Sequence, residues 1–201
     1  MINIWKRLAN LFDSKPIINA KFGKYTVTTI TDHYPITEYD DIDVATKCLL
    51  KLLGKDNLSI WEKVIWEEDR WWYLTALISY ITKKPFSLVK RNPIWIDWEI
   101  SVDFRNIYTS GKLYISWVSA WDKVIIVEDM IDSWWTIIWL INLLKKANIE
   151  IVDIVCLAVK EDLNGIEKIK NETWFDVKYW VKFTTKWKSS KVTRINPILL
   201  K

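Results

Sequence analysis

Two acids, Glu128 and Asp129, close the apolar run Val124-Ile125-Ile126-Val127, and a few residues later Ser133 and Thr136 bracket Trp134-Trp135. The pattern reads as a strand, a short loop and a helix. Backbone N–H groups and the dipole at such a helix start favour an anion, and the two hydroxyls add donors. Asp132, between the acidic doublet and the hydroxyls, is a carboxylate able to take or give a proton within hydrogen-bond reach. A second set is basic. Arg70 follows Glu67-Glu68-Asp69, and Lys90-Arg91 follows Pro85-Phe86-Ser87-Leu88-Val89. Cations there can stabilise charge that grows in a transition state. The plainer alternatives are that the acids merely end a strand, that Asp132 or Ser133 caps a helix, and that the basic residues are solvated.

The elements that would hold these residues follow from apolar periodicity. An amphipathic helix is expected over Ile4 to Phe12, a β-rich run over Lys24 to Thr31, and a helix over Ile42 to Leu53. Strands are then expected at residues 63–65, 85–89, 112–116, 123–128 and 151–159, with helices at 73–82 and 136–147. The runs Val124–Val127 and Ile151–Val159 are nearly continuously apolar, as in strands covered on both faces. Alternating with helices, they predict an α/β fold with a parallel sheet, whose ligands sit beyond the carboxyl ends of the strands.

The chain has 201 residues and a mass of 24.0 kDa, half of it apolar, which suits one domain. No repeat or linker divides residues 1–201; the expected organisation is N-terminal helices and hood over 1–54, an α/β core over 55–184 and a tail over 185–201. A formal charge of +4 gives no basis for nucleic-acid binding. The longest apolar stretch, Trp134 to Leu144, is too short to span a bilayer, so no membrane association is expected. Cys48 and Cys156 are expected as reduced thiols in a cytoplasmic protein. His33 is the sole histidine and has no metal-ligand set around it.

Glycine and tryptophan are out of proportion, with 4 Gly beside 15 Trp. Average usage would give about 14 glycines. The tryptophans also stand where glycine chemistry is expected: the pairs Trp71-Trp72 and Trp134-Trp135 after strands, and Trp98 and Trp121 before acidic turn residues. One expectation is therefore that many of them stand for glycine in the natural product, through a UGA codon read as Gly. A Trp-rich surface for sugars, membranes or single strands is the other reading.

The string Val124 to Thr136 resembles the phosphoribosyl pyrophosphate signature of the type I phosphoribosyltransferases, and with Gly at 134 and 135 it agrees over 13 positions. Residues 63–72 resemble the pyrophosphate loop of the adenine-specific members, and Lys84 to Arg91 their strand with a basic pair. Residues 96–102 are similar to the start of the flexible catalytic loop, here Asn92 to about Thr109. Ser110 to Trp117 resembles the strand that precedes the signature in archaeal-type hypoxanthine enzymes.

The resemblance covers about residues 32–183 and implies a parallel sheet with a small hood from both terminal segments. The implied reaction moves 5-phosphoribosyl from phosphoribosyl pyrophosphate to a purine, with release of pyrophosphate, in salvage. Ser133, Trp134, Trp135 and Thr136 would hold the 5′-phosphate. Glu128 and Asp129 would bind the ribose hydroxyls, directly or through Mg²⁺, and Arg70, Lys90 and Arg91 the pyrophosphate. Asp132 matches the acid/base carboxylate of 6-oxopurine enzymes, whereas the Arg70 loop leans toward adenine. The family implies a homodimer. An orotate phosphoribosyltransferase and a non-catalytic phosphoribosyl-pyrophosphate-sensing regulator are the alternatives. Genuine indoles at 71, 72, 134 and 135 are expected to obstruct the phosphate loops.

Overall fold

The order of the secondary elements sets where a site can form. The computed structural model describes residues 4–20, 23–54, 56–105 and 110–196. Along the chain run α1 (Ile4–Phe12), β1 (Ile17–Ala20), β2 (Gly23–Thr26), α2 (Thr29–Asp32), α3 (Tyr39–Leu53), β3 (Lys63–Glu67), α4 (Trp72–Thr82) and β4 (Phe86–Val89). They are followed by β5 (Ile100–Arg105), β6 (Ser110–Ile115), β7 (Lys123–Ile131), α5 (Trp135–Lys146), β8 (Glu150–Lys160), α6 (Gly165–Thr173), β9 (Lys178–Thr184) and β10 (Lys191–Ile195). Among the described residues no helix is long and apolar enough to cross a membrane.

The main sheet has the order β10-β9-β8-β7-β3-β4; β4, β3, β7, β8 and β9 are parallel and β10 is an antiparallel edge. The α/β class expected from the apolar runs is what forms. Val124, Ile125, Ile126 and Val127 of β7 and Ile154, Val155, Cys156 and Leu157 of β8 are all fully buried. Each such aliphatic side chain contributes about 1.5–3 kcal/mol by leaving water, which selects the covered centre of the sheet for these two strands. From β3 the chain crosses to β4 on one side and later returns to place β7 on the other. The sheet therefore changes winding direction between β3 and β7, where a crevice opens beyond the strand ends.

Four segments differ from their expected form. The run Lys24 to Thr31 is a strand only to Thr26; Thr28 caps a short helix, its Oγ1 accepting the Thr31 N–H at 3.1 Å. Local side-chain capping overrides the β preference of Thr and Ile. The strand near 112–116 is not in the parallel sheet. It is β6, paired antiparallel with β5 in a hairpin and tied to the main sheet by a Lys90–Tyr114 bridge. The catalytic loop expected over 92–109 thus contains β5, while 106–109 lie outside the described residues. The segment taken as a tail supplies β10.

The ends of the described chain meet. The Ser14 N–H donates to the Ser190 carbonyl (2.8 Å), the Lys15 N–H to Ser190 Oγ (2.8 Å), and the Val192 N–H to Asp13 Oδ1 (2.8 Å). Arg7 fixes α1 to the start of α3, with 2.9 Å from Nη2 to Asp41 Oδ1 and 3.0 Å from Nη1 to Asp40 Oδ2. The β1–β2 hairpin is held over the sheet by the buried Lys160, whose Nζ donates to the Lys24 carbonyl at 2.6 Å.

Candidate active site

A cavity of about 520 Å³ opens at the winding change, lined by Glu67 from the end of β3, Glu128, Asp129 and Met130 of β7, and Asp132, Ser133 and Thr136 of the following turn. Ile18 and Tyr25 roof it from the hairpin, and Arg70 and Arg91 border it from the β3 and β4 ends. Strand β7 runs on through both acids to Ile131, three residues beyond the end expected at Glu128.

Glu128 and Asp129 are buried, and burial holds the Glu128 carboxyl well above the usual carboxylate range, with the Asp129 charge adding to the rise. Burial also raises Asp129, against hydrogen bonds from Glu128, from the Thr31 hydroxyl and from the Met130 N–H. Acceptors held so far out of water are ready for hydroxyl donors or a cation. Thr31 comes from α2, so the hood sets the orientation of Asp129.

Ser133 and Thr136 line the cavity where β7 turns into α5, whose first N–H groups have no acceptor within the helix. Trp134 is at the helix cap and makes no side-chain capping bond. The Trp134 and Trp135 rings lie 5.2 Å apart, Lys168 Nζ is 3.3 Å from the Trp134 ring centre, and neither indole borders the cavity. The obstruction expected from this pair is thus not a filling of the cavity. Trp71 does line it, packed against Trp66 with ring centres 4.4 Å apart, whereas Trp72 is half exposed and lies off it.

The two arginines arrive at the cavity on different supports. Arg70 Nη1 is 2.7 Å from Asp32 Oδ1 and its Nη2 donates to the Tyr25 hydroxyl at 3.1 Å. Arg91 approaches the buried Glu67 through Nε and Nη2, each 2.7 Å from Oε1. Burial raises the Glu67 carboxyl and the Arg91 charge opposes it. Lys90 is not brought to the cavity. Neighbouring residues of an extended chain face opposite ways, and Lys90 is spent on the backbone bridge to Tyr114. His33 spans hood and loop, Nδ1 to Thr37 Oγ1 at 2.7 Å and Nε2 to the Arg70 carbonyl at 3.1 Å.

Sequence reasoning missed Thr31, Tyr25, Asp32 and Lys160. Lys160 ends β8 and places Nζ 2.7 Å from Asp132 Oδ1, both groups largely buried. A lysine closing a nine-residue apolar strand at its carboxyl end was a usable signal; the hood residues carried none.

A winding change in a mostly parallel sheet, lined by an acidic doublet, a helix start and two arginines, is the arrangement of the type I phosphoribosyltransferase fold. Solved adenine phosphoribosyltransferases share it. That of Thermoanaerobacter pseudethanolicus has a TM-score of 0.73 at 18% identity, covering 89% of this chain and 99% of that one. The Saccharomyces cerevisiae enzyme gives 0.72 at 12% identity, with 89% and 99% covered. Among curated sequences, a hypoxanthine/guanine phosphoribosyltransferase of Methanothermococcus okinawensis is 33% identical over 176 residues, 87% of this chain and 92% of that protein. One from Methanococcus voltae is 32% identical over 178 residues, 88% and 91% of the two chains. No protein-family model matches. The chain belongs to the purine phosphoribosyltransferases of the type I family, pentosyl-transferring enzymes of purine salvage.

Proposed function

We propose that the protein transfers 5-phosphoribosyl from phosphoribosyl pyrophosphate to N9 of a 6-oxopurine, hypoxanthine or guanine. The C1–O bond to pyrophosphate breaks, the N9–C1 bond forms, and the purine loses one proton. The observation that carries the choice of base is the Asp132–Lys160 ion pair beside the cavity. Its carboxylate can accept a purine ring N–H, and its ammonium can donate to a carbonyl oxygen; adenine offers an amino donor there instead. The relatives named for hypoxanthine and guanine agree with this reading.

Ser133, Thr136 and the first N–H groups of α5 would hold the 5′-phosphate, with Trp134 and Trp135 contributing backbone only. Glu128 and Asp129 would accept the ribose 2′- and 3′-hydroxyls. Arg70 and Arg91 would turn from Asp32 and Glu67 toward the departing pyrophosphate. Lys90 would act at longer range when the β5–β6 hairpin closes and excludes water.

Mg²⁺ fits the donor set. Glu128 and Asp129 are hard oxygen ligands, and among the described residues no group of three or more His, Cys, Asp or Glu could hold a metal ion. A cation would be shared between one or two of these carboxylates and substrate oxygens, as Mg²⁺ prefers, and when bound would neutralise charge on the leaving pyrophosphate. The protein is also read as cytoplasmic, from its two free thiols, and as a homodimer, from the family resemblance; analytical ultracentrifugation tests the dimer.

The deciding experiment is a comparison of kcat/KM for hypoxanthine, guanine, adenine and orotate with phosphoribosyl pyrophosphate and Mg²⁺. Hypoxanthine or guanine should exceed adenine by at least tenfold. Preference for adenine or orotate overturns the assignment of the base.

A further inference from the structure

Four tryptophans have backbones that suit glycine. The φ angles are +62° at Trp95, +62° at Trp117, +74° at Trp121 and +68° at Trp174. In this left-handed region a Cβ crowds the following carbonyl, so only a few per cent of non-glycine residues sit there, mostly Asn, Asp and His. Asn148, Asn164 and His33 follow that preference. Ser14, Lys83 and four of the 15 tryptophans do not.

Among the described residues, the one ring contact of these four indoles is that of Trp117, edge-on to the exposed Trp98 with centres 5.7 Å apart. The four residues are 87%, 70%, 78% and 82% exposed, so the rings fill no core. At positions 174 and 121 the main chain makes the contacts. Trp174 ends α6 with φ +68° and ψ +4°, its N–H donating to the Lys170 carbonyl at 2.8 Å. That left-handed helix end is usually glycine. Gly54, at the end of α3, also has a positive φ of +71° and donates to the Leu50 carbonyl at 3.2 Å, but with an extended ψ of +145°; the left-handed end of α4 is Lys83. The Trp121 N–H reaches the Asn148 carbonyl at 2.7 Å in the turn entering β7.

Other tryptophans use their rings. Trp180 is fully buried, and its indole N–H donates to the Cys48 carbonyl at 2.7 Å. Trp61 is buried with Lys84 Nζ 5.1 Å from its ring centre. These six tryptophans therefore divide into two that use an indole and four whose backbones favour a missing Cβ. Independent mutations would not put the same bulky residue at four separate glycine positions. A single codon with two meanings would.

We infer that residues 95, 117, 121 and 174 are glycine in the natural chain, each encoded by UGA that the source cell decodes as Gly, while Trp180 is encoded by UGG. The inference stands on backbone geometry and exposure and does not depend on the reaction assigned above. Two measurements test it. Codon reading joined to peptide mass spectrometry of the protein isolated from its own cells should show UGA and glycine at the four positions, and UGG and tryptophan at 180. UGG, or tryptophan in the native peptides, at the four positions overturns it. Independently, Trp95→Gly, Trp117→Gly, Trp121→Gly and Trp174→Gly in the chain as written should each raise the melting midpoint by about 2–4 °C, whereas Trp180→Gly lowers it. A lowered midpoint at all four positions overturns it as well.

Discussion

Arg70 is held by Asp32, with Nη1 2.7 Å from Oδ1, so a residue of the hood restrains a residue proposed to receive pyrophosphate. The Tyr25 hydroxyl donates to the same carboxylate oxygen at 2.7 Å, and Asp32 Oδ2 accepts the Thr28 N–H at 2.8 Å. Asp32→Asn keeps the shape and removes the charge. We expect kcat/KM for phosphoribosyl pyrophosphate to fall about tenfold, mainly through KM, the equivalent of one charge-assisted hydrogen bond. Steady-state kinetics check this; an unchanged KM would separate the hood from pyrophosphate binding.

Thr31 joins the hood to the acidic doublet through its bond to Asp129. Thr31→Val conserves volume and leaves a buried carboxylate short of a donor, a loss of about 1–3 kcal/mol in unfolding free energy. Turnover should fall with it, and Thr31→Ser should restore most of both. Denaturant titration and initial rates on the two variants provide the check.

Arg91 grips the buried Glu67 through two nitrogens, a geometry that lysine does not reproduce. Arg91→Lys is expected to weaken product inhibition by pyrophosphate about tenfold. Lys90→Ala, by contrast, should change that inhibition constant by less than about twofold while the hairpin is open, since Lys90 is off the cavity.

Because no described cluster of three or more ligating side chains could hold a metal by itself, a chelator should abolish turnover without moving the melting midpoint of the substrate-free protein. Differential scanning calorimetry with and without chelator tests the second half of that statement independently of the assay.

Asp153 supplies a pH dependence remote from the cavity. Burial raises its carboxyl, opposed by Lys178 and the Ile154 N–H. A carboxyl raised by folding stabilises the fold fully below its unfolded value and loses that contribution as pH climbs through the folded value. Asp153→Asn should therefore raise the melting midpoint by a degree or two near neutral pH. The gain should vanish near about pH 3, below the unfolded value of a carboxylate.

What the sequence carried and what it did not follow from the range of the forces. Residues 124–136 were readable because the apolar run, the acids and the helix start are neighbours in the chain. The partnership of Lys160 with Asp132 was not, even though a lysine at the end of an apolar run is visible, since it depends on the parallel register that sets Ile131 opposite Val159. The choice between Lys90 and Arg91 rests on which of two adjacent side chains faces inward, and composition is silent on that parity. The β6 segment has the apolar character of a sheet strand, yet pairing with β5 decides its location. Residues 191–195 look like a charged tail, because an edge strand half open to water needs few apolar side chains.

The stitching of residues 12–15 to residues 189–192 also sets a timetable. Ser190 bonds to the Phe12 carbonyl through Oγ at 2.7 Å and to the Lys15 carbonyl through its N–H at 3.0 Å, contacts between stretches made at opposite ends of synthesis. During translation this part of the hood must wait for residues 189–192 to emerge, held meanwhile by bonds such as that from Lys160 to the Lys24 carbonyl. A chain clipped or stalled before residue 189 would carry every group proposed to handle phosphate and sugar, and would still lack the clasp between residues 12–15 and 189–192.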